Sequence, residues 1–179
     1  MRILLVAPRS DFPDATPGWL RIPQLTLLIL EALTPGAHQV TSVEEEAEPV
    51  PLEETWDLVG ITVMTATALR AYDLAGKFRQ RGAKVVLGGI HVSIMPEEAS
   101  RYADAVVVGE AEGAWDRVLD DARKGSLLPV YRNATPDIVK IPLVRYRNAN
   151  AKSRLIPSVE PVVASRGCPN GCDFCSVPE

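Results

Sequence analysis

Four short apolar runs recur in the first part of the chain: RILLVA from Arg2, DLVGITVM from Asp57, KVVLGGI from Lys84 and DAVVVGE from Asp104. Each is nearly continuous in Val, Ile and Leu. A strand of that kind cannot turn one face to water, as an antiparallel strand with alternating polarity does, so it must be covered on both sides. The stretches between the runs supply the cover. RIPQLTLLILEAL reads as a helix with Pro23 near its first turn and Thr34-Pro35-Gly36 as its stop. Residues 66–80 place Leu69, Tyr72 and Phe78 on one helical stripe, and Gly82 ends it. MPEEASRY opens a short helix with Pro96 at its first position. EGAWDRVLDDARKG turns Ala114, Trp115, Val118, Leu119 and Ala122 inward and stops at Gly125.

With the mixed-polarity segment HQVTSVE (His38–Glu44) as an edge strand, strand and helix alternate with short connections. That rhythm predicts an α/β domain over residues 1–130: an open, mainly parallel five-stranded sheet, Rossmann-like in its flavodoxin-like order 2-1-3-4-5, with helices on both faces. From about Leu127 the texture becomes rich in Pro, Asn and Arg, which predicts an irregular tail. Residues 131–160 read as a linker, and PVVASR (Pro161–Arg166) as one more buried strand.

The 179 residues suit one domain with an appendage, and the net charge of −4 calls for neither nucleic acid nor an anionic membrane as partner. The longest apolar runs are too short to span a bilayer, and MRILLVAPRS lacks the length and cleavage site of a signal peptide, so a cytoplasmic location is expected.

All three cysteines stand within RGCPNGCDFC, as Cys168, Cys172 and Cys175. An odd number packed so closely does not make a disulfide framework and suggests a metal, either an iron–sulfur cluster or zinc. There is no fourth Cys, and His38 and His91 are far off in sequence. Three protein ligands leave one metal position open, which is a catalytic arrangement.

The spacing C-x3-C-x2-C, with Phe174 just before the last Cys and PVVASR before the loop, resembles the signature of radical S-adenosylmethionine enzymes. The resemblance implies that Cys168, Cys172 and Cys175 hold a [4Fe–4S] cluster whose fourth iron binds S-adenosylmethionine. It also implies that PVVASR is the first strand of a C-terminal radical S-adenosylmethionine barrel. On that basis the chain is the N-terminal piece of a longer enzyme, cut just past the cluster loop and inactive by itself.

Ligands of doubly wound sheets bind at the carboxyl ends of the strands. The loops there contain Pro8 and Arg9, Thr62 and Thr65, Gly88, Gly89 and His91, and Gly109 and Glu110. Gly88 and Gly89 would let a flat ligand approach the backbone. Thr62, Thr65 and Thr67 offer hydroxyls to a ligand or cap the helix that follows. Glu110 and Glu112 suit a helix N-terminus, and His91 suits a local hydrogen bond as well as a ligand site. No G-x-G-x-x-G follows the first strand and no G-x-x-x-x-G-K-[ST] occurs, which disfavours dinucleotides and nucleoside triphosphates.

VLGGIHVSIMPEEA and VVVGEAEGAW resemble segments of the cobalamin-binding domains that precede many radical S-adenosylmethionine barrels. The implied function is cobalamin binding within an enzyme that methylates, or cyclises, an unactivated carbon. The D-x-H-x-x-G motif of some cobalamin domains is absent: RSDFPDATPGW has no His, so that motif supplies no cobalt ligand. A cobalamin-free scaffold or sensor module is the rival reading. A flavodoxin-like electron carrier, with Trp19 or Trp115 as the stacking aromatic, is a third.

Overall fold

The computed structural model describes residues 1–10, 22–132, 141–144 and 160–170, together with Cys172, Asp173 and Cys175. Six strands form one parallel sheet: β1 (Arg2–Ala7), β2 (Gln39–Glu44), β3 (Leu58–Thr62), β4 (Lys84–Gly88), β5 (Ala105–Val108) and β6 (Val130–Arg132). Their order is 2-1-3-4-5-6, the expected order with one strand added at the far edge.

The apolar runs divide by parity, as a two-residue side-chain period requires. Leu4, Val6, Val59, Ile61, Val85 and Leu87 face one layer, and Ile3, Leu5, Leu58, Val86 and Val107 face the other. The first layer is closed by α2 (Ala68–Gln80), α3 (Ile90–Ile94) and α4 (Pro96–Ala99). The second is closed by α1 (Leu25–Leu33) and α5 (Trp115–Lys124). Pro96 opens α4, and Gly125 ends α5 in the left-handed conformation at φ 71°, as the sequence indicates.

Three expectations are corrected. Leu69 is 78% exposed and lies outside the α2 stripe, which is Ala68, Ala71, Tyr72, Leu74, Ala75 and Phe78. At about 3.6 residues per turn, Leu69 and Phe78 are separated by a half-integral number of turns and face opposite ways. The stretch read as irregular from Leu127 contributes β6, which straddles the boundary expected at residue 130. Three residues are too few to show a period, but Tyr131 is fully buried, and its hydroxyl donates to Asp121 at 2.9 Å. Pro161–Arg166 is not a strand, and Val162 and Val163 are 84% and 50% exposed. A buried strand needs a ladder and cover, and the described residues supply neither to this segment. Trp19, Gly171, Phe174 and most of the expected linker lie outside the described residues.

The packing makes a contrast. Phe78→Ala should cost roughly 3–5 kcal/mol in urea denaturation, the usual loss for a fully buried Phe. Leu69→Ala should change stability by no more than about 0.5 kcal/mol.

Candidate cofactor groove

Parity sets the groove as it sets the core. Gly60, Thr62, Val86, Gly88 and Val107 share the sheet face toward α1 and α5, and two of these five have no side chain. With Thr26, Leu27 and Leu30 of α1 and Trp115 of α5 they line a shallow cleft open to solvent at the carboxyl edge. Among the described residues none that lines it is charged, and the slot suits a flat or aliphatic group with a few hydroxyl partners.

The glycines differ in their reasons. A Cβ on Gly60 would press on Leu5 Cδ2 at 3.1 Å and only touch the Trp115 ring at 3.5 Å, so Leu5, not Trp115, is the side chain that would have to give. Gly89 has φ +102°, and a Cβ there would stand 2.7 Å from the Val63 carbonyl oxygen. The turn from β4 into α3 therefore requires that glycine. Gly88 is different: a Cβ would meet nothing nearer than Val107 at 3.7 Å. The protein's own packing does not demand a glycine there, and its bareness leaves groove floor open.

His91 does not reach into this groove. It is buried on the other face, with Nδ1 3.2 Å from the Thr65 hydroxyl and Nε2 3.2 Å from the Tyr72 hydroxyl. Tyr72 donates to Glu98 at 2.9 Å and stacks on Tyr102 with ring centroids 4.1 Å apart. Burial first, and then that bond to Glu98, push the Tyr72 hydroxyl far above its ordinary value, so it remains a donor. With Tyr72 donating to Glu98, the His91 ring offers Nε2–H to the Tyr72 oxygen, and Nδ1 accepts from Thr65. His91 thus ties α3 to α2 and to the 3-10 turn Thr65–Thr67, the local role the sequence allowed. Thr67 also serves the turn, its hydroxyl accepting from the Met64 N–H at 3.1 Å. His38 lies just before β2, at the opposite edge, beside the N-terminal amine at 3.4 Å.

The loop after β1 is held by three consecutive glutamates. Glu45 accepts the Arg9 N–H at 3.1 Å, Glu46 the Ser10 N–H at 2.9 Å and Glu44 the Gln24 N–H at 2.9 Å. Pro8 is buried and Arg9 exposed. Nothing in the sequence flagged Glu44–Glu46, because acidic side chains after an edge strand ordinarily signal only a solvated surface. Burial raises the Glu45 carboxyl, but the Arg70 guanidinium, bonded to both its oxygens, and the Arg9 N–H outweigh this and hold it below its ordinary value.

On β5, Gly109 takes a φ of +82° and donates its N–H to the Ser93 hydroxyl at 2.9 Å, which fixes the β5 loop to α3. Glu110 and Glu112 flank Ala111, a lining residue, and both bind Arg166 of the tail, at 3.1 and 2.5 Å. Burial disfavours the Arg166 charge, but the two carboxylates prevail and raise its pKa.

Cys168 and Cys172 are exposed and Cys175 is half-buried. The Cys175 N–H donates to the Cys172 carbonyl at 3.0 Å, so one tight turn carries two of the three thiols. Among the described residues no three His, Cys, Asp or Glu side chains are gathered as a metal site. Thiolates commonly converge on binding, since the metal supplies the free energy for doing so. Of the predicted site residues, Thr62, Gly88 and Gly89 line the groove, and Gly109 and Glu110 border it. Gly60, Thr26 and Ala111 were missed. A glycine inside the apolar run LVGIT was the available signal for the first.

These features define a Rossmann-like domain with an uncharged ligand groove at its carboxyl edge. The B12-binding domain family matches residues 36–119, from just before β2 into α5. The chain is 40% identical over 161 residues to bacteriochlorophyllide d C-8(2)-methyltransferase of Chlorobaculum tepidum, covering 86% of this chain and 36% of that protein. It is 29% identical to the C-12(1)-methyltransferase of the same organism, covering 98% and 40%. It is 30% identical to an uncharacterized methyltransferase of Pyrococcus horikoshii, covering 98% and 45%. Residues 36–119 thus resemble a B12-binding domain, and the chain, similar to these methyltransferases, spans less than half the length of these curated relatives. No helix among the described residues is long and apolar enough to cross a membrane.

The Glu45 network gives a pH prediction. Its pKa is lowered on folding, so it adds stability that is complete above its ordinary value of 4.5 and is lost as pH falls through the folded value. The difference in thermal midpoint between the wild type and Glu45→Gln should be full at neutral pH and shrink toward zero below that value.

Proposed function

We propose that this chain is the cobalamin-holding part of a radical S-adenosylmethionine methyltransferase that acts on an unactivated carbon. The observation that carries the reading is the open floor at Gly88, in a groove whose sheet and α5 residues fall within the region matched by the B12-binding family, while its α1 wall precedes that region. The two Chlorobaculum relatives are named for methylation at carbon positions, which favours methyl transfer over cyclisation.

The residues fit the group. The slot between sheet and α1 would take a flat apolar part of the cofactor, with Gly88 as floor, Trp115 and Leu30 as walls, and the Thr26 and Thr62 hydroxyls as hydrogen-bond partners. Gly89 would hold the turn that keeps α3 clear of the mouth, and Ser93 would fix the Gly109 loop on its other side. Bound cobalamin would supply a transferable methyl group. No histidine of this chain is placed to bind the cobalt from below: His91 is engaged at both ring nitrogens, and His38 is at the opposite edge. Cys168, Cys172 and Cys175 would hold the [4Fe–4S] cluster that binds S-adenosylmethionine, with the barrel supplied by chain beyond this sequence.

The test is a visible-absorbance titration with hydroxocobalamin, with bound cofactor counted after gel filtration. The wild type should retain cobalamin with a spectrum lacking a nitrogenous lower ligand. Gly88→Leu should reduce retention at least about tenfold while changing stability by no more than about 1 kcal/mol, since the groove has room for the side chain. Equal retention by the two would contradict the placement, and no retention by either the chain or a full-length relative would favour the scaffold reading.

A further inference from the structure

Among the described residues, the segment leading to the cysteines is exposed along most of its length, and a half-buried cation, Arg166, ties it to the domain. Val162, Val163, Gly167 and Cys168 are exposed, whereas the Arg166 side chain is 18% exposed. Its Nη1 lies 3.1 Å from Glu110 Oε2 and 2.5 Å from Glu112 Oε1, and the Glu112 side chain is only 12% exposed. Two carboxylates this close repel each other unless a cation stands between them. A guanidinium suits that place because a single terminal nitrogen, Nη1, carries two N–H groups and can donate to both carboxylates at once. Two further details give the contact a purpose. The glutamates flank Ala111, which lines the groove, so the tail is fastened to the groove's own rim. Gly167 follows with φ +78° and nothing within 4 Å of a Cβ, so it serves conformation and not space. Cys168 comes next, and the chain bends at Pro169.

We propose that Arg166, clamped by Glu110 and Glu112, is a positioning residue that fixes the first cysteine of the loop beside the cofactor groove. Cys168 is two residues from the anchor, a span of at most about 7 Å. The clamp therefore sets the place from which the cysteine loop departs. The purpose assigned to this geometry rests on the cobalamin reading above; the clamp itself does not. Glu110 and Glu112 then have a role that an acidic helix start alone would not give them. The clamp also makes the β5–α5 turn a shared part, since one turn borders the ligand and holds the loop that precedes the metal ligands.

The test needs no cobalamin, so its outcome is independent of whether the groove binds that cofactor. In Cys172→Ser/Cys175→Ser protein, a nitroxide on Cys168 should broaden the amide resonances of Ala111 and Gly113. The broadening should be lost when Glu110→Gln and Glu112→Gln are added. In parallel, trypsin cleavage of the Arg166–Gly167 bond should be about tenfold faster in the Glu110→Gln/Glu112→Gln protein than in the wild type, as expected for loss of charge-assisted bonds. Cleavage after Lys124 and the thermal midpoint should be unchanged, which separates loss of the clamp from unfolding. Arg166→Lys, which keeps the charge and the protease site but lacks the guanidinium, should fall between the two. Unchanged broadening, or equal cleavage at Arg166–Gly167 in the wild type and the Gln variants, would overturn the proposal.

Discussion

The carboxyl edge of a doubly wound parallel sheet carries a crevice, and side chains missing from one face widen it. Here they are missing at Gly60 and Gly88, which fall on the same parity as Thr62, Val86 and Val107. The rest of the edge depends on that coincidence. The Trp115 ring packs over Gly60, and its indole N–H donates to the Thr34 hydroxyl at 2.8 Å, which locks α5 to the end of α1. The groove between sheet and α1 is what remains above the ring. On the opposite parity the strands carry full-sized side chains, and there the same edge is filled by His91, Tyr72 and the 65–67 turn.

The charges at the edge are structural and local. Glu44, Glu45 and Glu46 satisfy backbone amides on both sides of the β1 loop, and Glu110 and Glu112 receive Arg166. Among the described residues, none that lines the slot carries a charge. That division fits a groove that selects by shape and apolar contact, with hydrogen bonds only at its rim.

Much of the sheet was legible because a strand buried on both faces must be apolar throughout, and four runs met that condition. The strand order followed from the weakness of HQVTSVE, which is indeed the edge strand β2. β6 was not legible, since its burial depends on Tyr131 finding Asp121 and Leu128 in three dimensions. Leu69 misled because composition favours burying Leu, whereas the helix phase is set by Phe78 and Leu74. At the site, the pair Gly88-Gly89 was visible in sequence, but not that its members act differently, one for backbone conformation and one for open space. The Arg166 clamp joins residues more than fifty positions apart, and no local pattern carries such a pairing. PVVASR has the composition of a strand, but strand formation depends on neighbours, and the described sheet offers it none.

The central claim is that cobalamin occupies the groove over Gly88 and Trp115. It is tested most directly by following indole N–H resonances of the tryptophans while hydroxocobalamin is added. Trp115 forms a groove wall, whereas Trp56 lies just before β3 at the opposite edge, its N–H bound to the Pro51 carbonyl. The account predicts that the Trp115 resonance shifts and saturates while that of Trp56 stays in place. Binding that leaves Trp115 unmoved would contradict it.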